Sequence, residues 1–152
     1  MLQELSKLHP FDNPHYGLSA TDFFHHEEIT KVKRIEHIQI GKYKVATWYT
    51  SLYPPQYHNL NTLYICEFCL SFFAYRTELE RHDEECLLFH PPGDEIYRDE
   101  TKKISVFEVD GFKQEKYCEN LGLLAKMFLD HKSLRVSASS FLFYILCDYS
   151  EG

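Results

Sequence analysis

Regular alternation of apolar and polar residues starts near Ile35. The residues before it are mostly polar and are broken by Pro10, Pro14 and Gly17, which predicts an irregular approach over 1–27 with one short helix near Ser19 to His26. From Ile35, Ile38 and Ile40 alternate with polar neighbours, and Tyr43 and Val45 resume the alternation after Gly41. That pattern predicts a β-hairpin turning at Gly41. Pro54 and Pro55 close it and lead into a polar link through Asn61.

A compact unit rich in Cys and His follows from Leu63 to about His90, and Pro91-Pro92-Gly93 then forces an extended, turning connection. Ile104 to Asp110 is rich in β-branched and aromatic residues and reads as a strand, with Asp110-Gly111 as a hairpin signal. From Tyr117 the period lengthens to that of a helix. Tyr117, Leu121, Leu124, Ala125 and Phe128 mark one face, and Leu123, Met127 and Leu129 broaden it, so the helix is expected to be buried on most sides. His131 and Lys132 are expected in its last turn, where positive charge suits the dipole. Phe141 to Cys147 is a continuous apolar run, the signature of a central strand covered on both faces. Together these elements predict an α+β or mixed α/β domain around one sheet.

Charge and composition narrow the function classes. With 16 Lys+Arg against 23 Asp+Glu the net charge is −7, which argues against gripping nucleic acid by charge alone. No apolar run reaches the roughly 20 residues of a membrane span, and the first residues lack the apolar core of a signal peptide. An intracellular chain is expected, in which the five cysteines are not a disulfide set.

Cys66-x2-Cys69, twelve residues, then His82-x3-Cys86 has the spacing of a zinc site. A two-residue gap lets two thiolates of a tight turn face one ion, and His82 and Cys86 fall one helical turn apart. Thr77 is the expected N-cap of that helix, with Glu80 completing a capping box, and Leu70, Phe72, Phe73 and Leu79 lie beneath. Four ligands close the tetrahedron and leave no open position, so the expected zinc is structural. The helix carries Glu78, Glu80, Asp83, Glu84 and Glu85 around Arg81, which would repel DNA; a packing module is expected instead of a reader of bases.

Several stretches, in register, resemble the MYST group of lysine acetyltransferases. They are Glu28 to Glu36, Ile40-Gly-Lys-Tyr43, Trp48-Tyr49, Leu63 to Leu70, His90 to Arg98, Ser105 to Gly111, Tyr117-Cys118, Asn120-Leu121, Leu123 to Leu134 and Phe141 to Tyr144. The resemblance covers residues 28–152, and the finger matches the family's Cys-Cys-His-Cys finger over 63–90. It implies an α+β fold in which the zinc finger and hairpins flank the start of an N-acetyltransferase-like mixed sheet with a buried helix. It also implies acetyl transfer from acetyl-CoA to lysines of histone tails, partner subunits of an acetyltransferase complex, and a nuclear location. Lys126 matches a lysine that family enzymes acetylate on themselves; without the resemblance it reads as a helix lysine snorkelling from an apolar face. Gly122 stands where the family usually has Cys, and the residues after Leu134 depart from the family's Tyr-Tyr-Asp-Val.

The family's catalytic Glu, active-site Cys and Gly-rich acetyl-CoA loop lie beyond the Phe-Leu-Phe-Tyr strand. Gly17, Gly41, Gly93, Gly111, Gly122 and Gly152 form no such loop. The expectation is a partial, inactive chain with no catalytic or cofactor-binding residue of its own, and with the C-terminal part of the fold absent. The alternative is a non-catalytic zinc-finger product mediating protein or chromatin-complex interactions. Cys118 and Cys147 read as core thiols, and Glu95 and Glu108 as structural.

Overall fold

The computed structural model describes residues 33–132 and 137–150. The helix expected near Ser19 to His26 lies outside them. Strand β1 (Ile35–Ile40) turns through Gly41, at φ +50°, into β2 (Tyr43–Ala46), the expected hairpin. Glycine suits that left-handed turn, and its bare Cα also makes room for the Glu67 carboxylate, which a Cβ would meet at 2.7 Å. Among the described residues β2 is an edge strand, and its Tyr43 and Val45 face solvent.

The expected polar link is shorter than its sequence suggests. After a 3-10 turn (Pro55–Tyr57), β3 (Leu60–Ile65) already runs parallel to β1, with Ile38 opposite Leu63 and Ile40 opposite Ile65. β4 (Phe72–Phe73) pairs antiparallel with β3, so the first sheet has the order β2-β1-β3-β4. Helix α1 (Arg76–Glu85) packs on β3 and β4.

The second sheet has the order β5-β6-β7, all antiparallel. Its strands are β5 (Asp94–Asp99), β6 (Ile104–Asp110) and β7 (Leu142–Asp148). Among the described residues there are therefore two sheets where the sequence suggested one. The hairpin in this region is β5–β6, turning at 100–103. Asp110-Gly111 makes none: the Asp110 carboxylate accepts from the Phe112 amide at 2.9 Å, and its carbonyl accepts from Lys113 and Gln114. The chain turns there into helix α2 (Glu115–Lys126). Gly111 is required by close approach, since a Cβ would lie 2.0 Å from the Ala138 carbonyl oxygen.

α2 ends at Lys126 with Met127 as its C-cap, so His131 and Lys132 lie beyond the last turn. β7 is an edge strand among the described residues. Phe143, Ile145 and Cys147 are half-buried, whereas Leu142, Tyr144 and Leu146 are more than half exposed. Alternating exposure replaces the expected burial on both faces.

One core joins the two sheets. Ile35, Ile38, Leu63 and Ile65 of the first sheet meet Val109, Tyr117, Cys118 and Met127. Leu63 and Val109 are fully excluded from solvent. The strap between β2 and β3 ties the halves: the amides of Trp48 and Tyr49 both donate to the Met127 carbonyl at 3.0 and 2.9 Å, and the Ser51 hydroxyl donates to the Leu123 carbonyl at 2.7 Å. Among the described residues no helix is long and apolar enough to cross a membrane.

Candidate metal centre

The β3–β4 turn is a knuckle built by two reciprocal backbone bonds. The Cys66 amide donates to the Ser71 carbonyl at 2.9 Å, and the Leu70 amide donates to the Cys66 carbonyl at 3.0 Å. Leu70 closes it at φ +60°, a conformation that costs a branched residue about 1–2 kcal/mol. Burial of its side chain offsets that strain. The knuckle places Cys66 and Cys69 on one side, facing α1.

α1 starts two residues earlier than the sequence suggests. Tyr75 is the N-cap, and the Glu78 carboxylate reaches back to accept from the Tyr75 amide at 3.2 Å. Glu80, the expected capping partner of Thr77, pairs instead with Arg76 at 2.9 Å. Only Leu79 of this helix is buried. His82 points to the knuckle, with its ring 5.0 Å from Phe73. Cys86 follows the last helical residue in an extended conformation, φ −68° and ψ 122°, instead of occupying the helix face.

These elements bring all four expected residues together. The ligand atoms of Cys66, Cys69, His82 and Cys86 lie within 4.8 Å of one another. Cys66 Sγ is 3.9 Å from Cys86 Sγ, and Cys69 Sγ is 3.1 Å from His82 Nε2. A tetrahedron with Zn–S near 2.3 Å has S···S edges of about 3.8 Å, so the donor set fits zinc in chemistry and in spacing. Burial pushes the Cys66 thiol up to about 12. For Cys69 burial opposes ionisation, but hydrogen bonds from the side chain and backbone of Ser71 outweigh it and hold the thiol below its ordinary value.

The remaining candidates are scattered. Lys126 is 4 % exposed, so its side chain does not snorkel outward. Its ammonium donates to the Asp130 carbonyl and lies 3.8 Å from the Asp130 carboxylate; burial lowers its pKa, against the pull of that carboxylate. Cys118 is buried and pushed up to about 11, and burial also raises Cys147. Glu95 is held below the usual carboxylate range by its hydrogen bond from Arg98, at 2.9 Å. Glu108 sits mid-strand opposite Asp94 and Tyr144. Cys118 and Cys147 share a neighbour in the Tyr117 phenol, and none of the five belongs to the Cys3His cluster. Sequence reasoning missed the left-handed Leu70 and the Glu78 cap, because neither residue type advertises those roles.

Two family models match in chain order. That of the MYST family zinc finger domain covers residues 32–86, and that of the MOZ/SAS family covers 90–152. The chain is 53% identical over 134 residues to "Histone acetyltransferase of the MYST family 1" of Arabidopsis thaliana, covering 88% of the chain and 30% of that protein. It is 41% identical over 151 residues to "Histone acetyltransferase Tip60 homolog" of Caenorhabditis elegans, covering 99% and 32%. To "Histone acetyltransferase MOF" of Drosophila melanogaster it is 47% identical over 123 residues, covering 81% and 15%. The chain thus spans about a third or less of the length of these relatives. With an α+β fold, a finger-type Cys3His cluster and two consecutive family models over 32–152, this chain belongs to the MYST family.

Proposed function

We propose that residues 28–152 are the N-terminal portion of a lysine acetyltransferase domain. The reaction would move acetyl from acetyl-CoA to a histone lysine: the thioester C–S bond breaks, an amide C–N bond forms, and the proton lost by the amine ends on the CoA thiol. The observation that carries the reading is the match, in order and in register, to relatives that all bear the name histone acetyltransferase. The contribution of this chain is scaffold. Cys66, Cys69, His82 and Cys86 would hold a structural zinc, with all four positions filled by protein. That zinc would fix the knuckle and α1 against β3, and the strap through Ser51 would fix that half against α2. A chain of this family works in the nucleus, beside chromatin.

Lys126 is the proposed acetylation site. Burial favours its neutral amine, the nucleophilic form, and an acetamide N–H could still donate to the Asp130 carbonyl. Peptide mass spectrometry of this chain incubated with acetyl-CoA and an active MYST-family acetyltransferase should show acetylation of the Lys126 peptide, abolished by Lys126→Arg.

A second reading, a non-catalytic finger product that binds partner proteins, rests on the Cys3His set, whose four ligands would leave a zinc no open position for catalysis. Measuring the mass of the endogenous polypeptide and assaying that same polypeptide with acetyl-CoA and histone peptides separates the two. Acetylated histone lysine supports the enzyme; an inactive endogenous product of about 18 kDa supports the partner-binding reading and overturns the first for this chain.

A further inference from the structure

Trp48 and Tyr49 of the strap are seated on the two residues that follow Lys126. The Met127 carbonyl accepts from both of their amides, and the Trp48 ring meets Phe128 edge-on, with centroids 5.7 Å apart. That seat lies where α2 tightens and ends. The amides of Met127 and Phe128 donate three residues back, to the Leu124 and Ala125 carbonyls at 3.1 and 3.0 Å, which is 3-10 geometry.

Lys126 reaches over the same turn. Its ammonium donates to the Asp130 carbonyl and lies 3.8 Å from the Asp130 carboxylate, so the side chain closes a loop over 127–129. A lysine is rarely buried unless its charge is paired, and Asp130 supplies that pairing here. The burial of Lys126 and the shape of the turn are therefore held by one charge. The strap is seated inside the loop that this charge closes.

We propose that the Lys126–Asp130 clasp is a charge-dependent latch on the strap: neutralising Lys126 loosens the turn at 127–130 and frees Trp48 and Tyr49 from Met127. Acetylation is the modification that would do so. An Nζ–C amide bond forms as the thioester C–S bond of acetyl-CoA breaks, and the proton lost by the amine ends on the CoA thiol. The ion pair is then gone, and the acetyl group adds bulk where the side chain is enclosed. The Asp130 carboxylate, whose side chain is 53 % exposed, turns to water instead. Because the strap joins the finger half to α2, the state of Lys126 would set how firmly the halves are held. The acetylation arm rests on the reading of Lys126 as a modified residue, whereas the latch itself does not.

Amide hydrogen exchange by NMR tests the latch on the full chain. Two proteins are compared with wild type: one carrying acetyl-lysine installed at 126 during synthesis, and Asp130→Asn, which keeps the carbonyl acceptor and removes the carboxylate charge. Exchange at the Trp48 and Tyr49 amides should accelerate about tenfold with acetyl-lysine, as those two hydrogen bonds open together. In Asp130→Asn it should accelerate about threefold, the effect of a half-exposed ion pair. The amides of Leu63, Ile65 and 118–122 should keep their wild-type rates. The fluorescence anisotropy of Trp48, the chain's one tryptophan, should fall in parallel. Unchanged rates at Trp48 and Tyr49 in both proteins would overturn the latch. So would equal acceleration at Ile65 and 118–122, which marks global destabilisation and no local opening. Absence of enzymatic acetylation counts against Lys126 as a modification site, whereas these rates judge the latch.

Discussion

The two halves of the molecule are stabilised by different means. The second sheet and α2 rest on ordinary burial: Phe107, Val109, Tyr117, Cys118 and Met127 are all in the core. The finger cannot rest on burial. α1 buries only Leu79, and β4 is two residues long. An isolated ten-residue helix is marginal in water, and this one carries Glu84 and Glu85 at its unfavourable end. A cross-link must supply what packing does not, and the Cys3His cluster sits where the knuckle and the helix end meet. The lesson is that a domain can combine a self-sufficient half with one conditional on an ion.

The contrast can be broken most severely at the metal centre. Cys66→Ser, or a strong chelator, should collapse protection of amides over 66–86 while α2 stays protected; structural zinc in finger peptides contributes about 10–16 kcal/mol. Uniform loss across both halves in hydrogen exchange would show that the second half is not self-sufficient. Leu63→Ala attacks the shared core and should cost about 3 kcal/mol, seen as a lower urea midpoint with both sheets melting together. Gly111→Ala should cost a comparable amount, roughly 1–3 kcal/mol, but only in the second half, because its Cβ meets backbone that cannot step aside. A silent Gly111→Ala would mean that the turn at 137–140 gives way freely.

Alkaline titration also probes the packed half. Burial raises the Cys118 thiol from 9.0 to about 11 and the Tyr117 phenol from 10.0 to about 12. A group held protonated by folding contributes its full stability below its unfolded pKa and loses it as pH climbs through its folded value. The urea midpoint should therefore hold up to about pH 9 and fall between about 9 and 11, and Cys118→Ala should flatten the first part of that fall. The smallest effect is expected at the exposed Arg76–Glu80 pair on α1. Arg76→Ala should cost under about 0.5 kcal/mol, and raising salt should hide it.

What could be read in the chain follows the same division. Metal ligands announce themselves by spacing, so Cys66, Cys69, His82 and Cys86 were legible before any coordinates, as was the β1–β2 hairpin from its alternation around Gly41. Strand β5 was not: Asp94–Asp99 is almost wholly exposed, and its strand character comes from pairing with β6. The start of β3 was hidden for a similar reason, since Asn61 and Thr62 look like linker until β1 runs beside them. Asp-Gly is a strong hairpin signal, yet at 110–111 the aspartate caps a turn into a helix and the glycine makes room for the Ala138 carbonyl. The apolar run of β7 fits a doubly covered strand by composition, but composition cannot say which faces find neighbours.

The central claim is that one half of this domain depends on a single structural zinc. Metal analysis of purified chain, combined with hydrogen exchange before and after chelation, tests it most directly. One tightly held zinc per chain is expected, lost in Cys86→Ser, with protection of 66–86 disappearing on its removal and that of 115–126 surviving. A chain that holds no zinc, or one whose finger keeps its protection after Cys86→Ser, would contradict it.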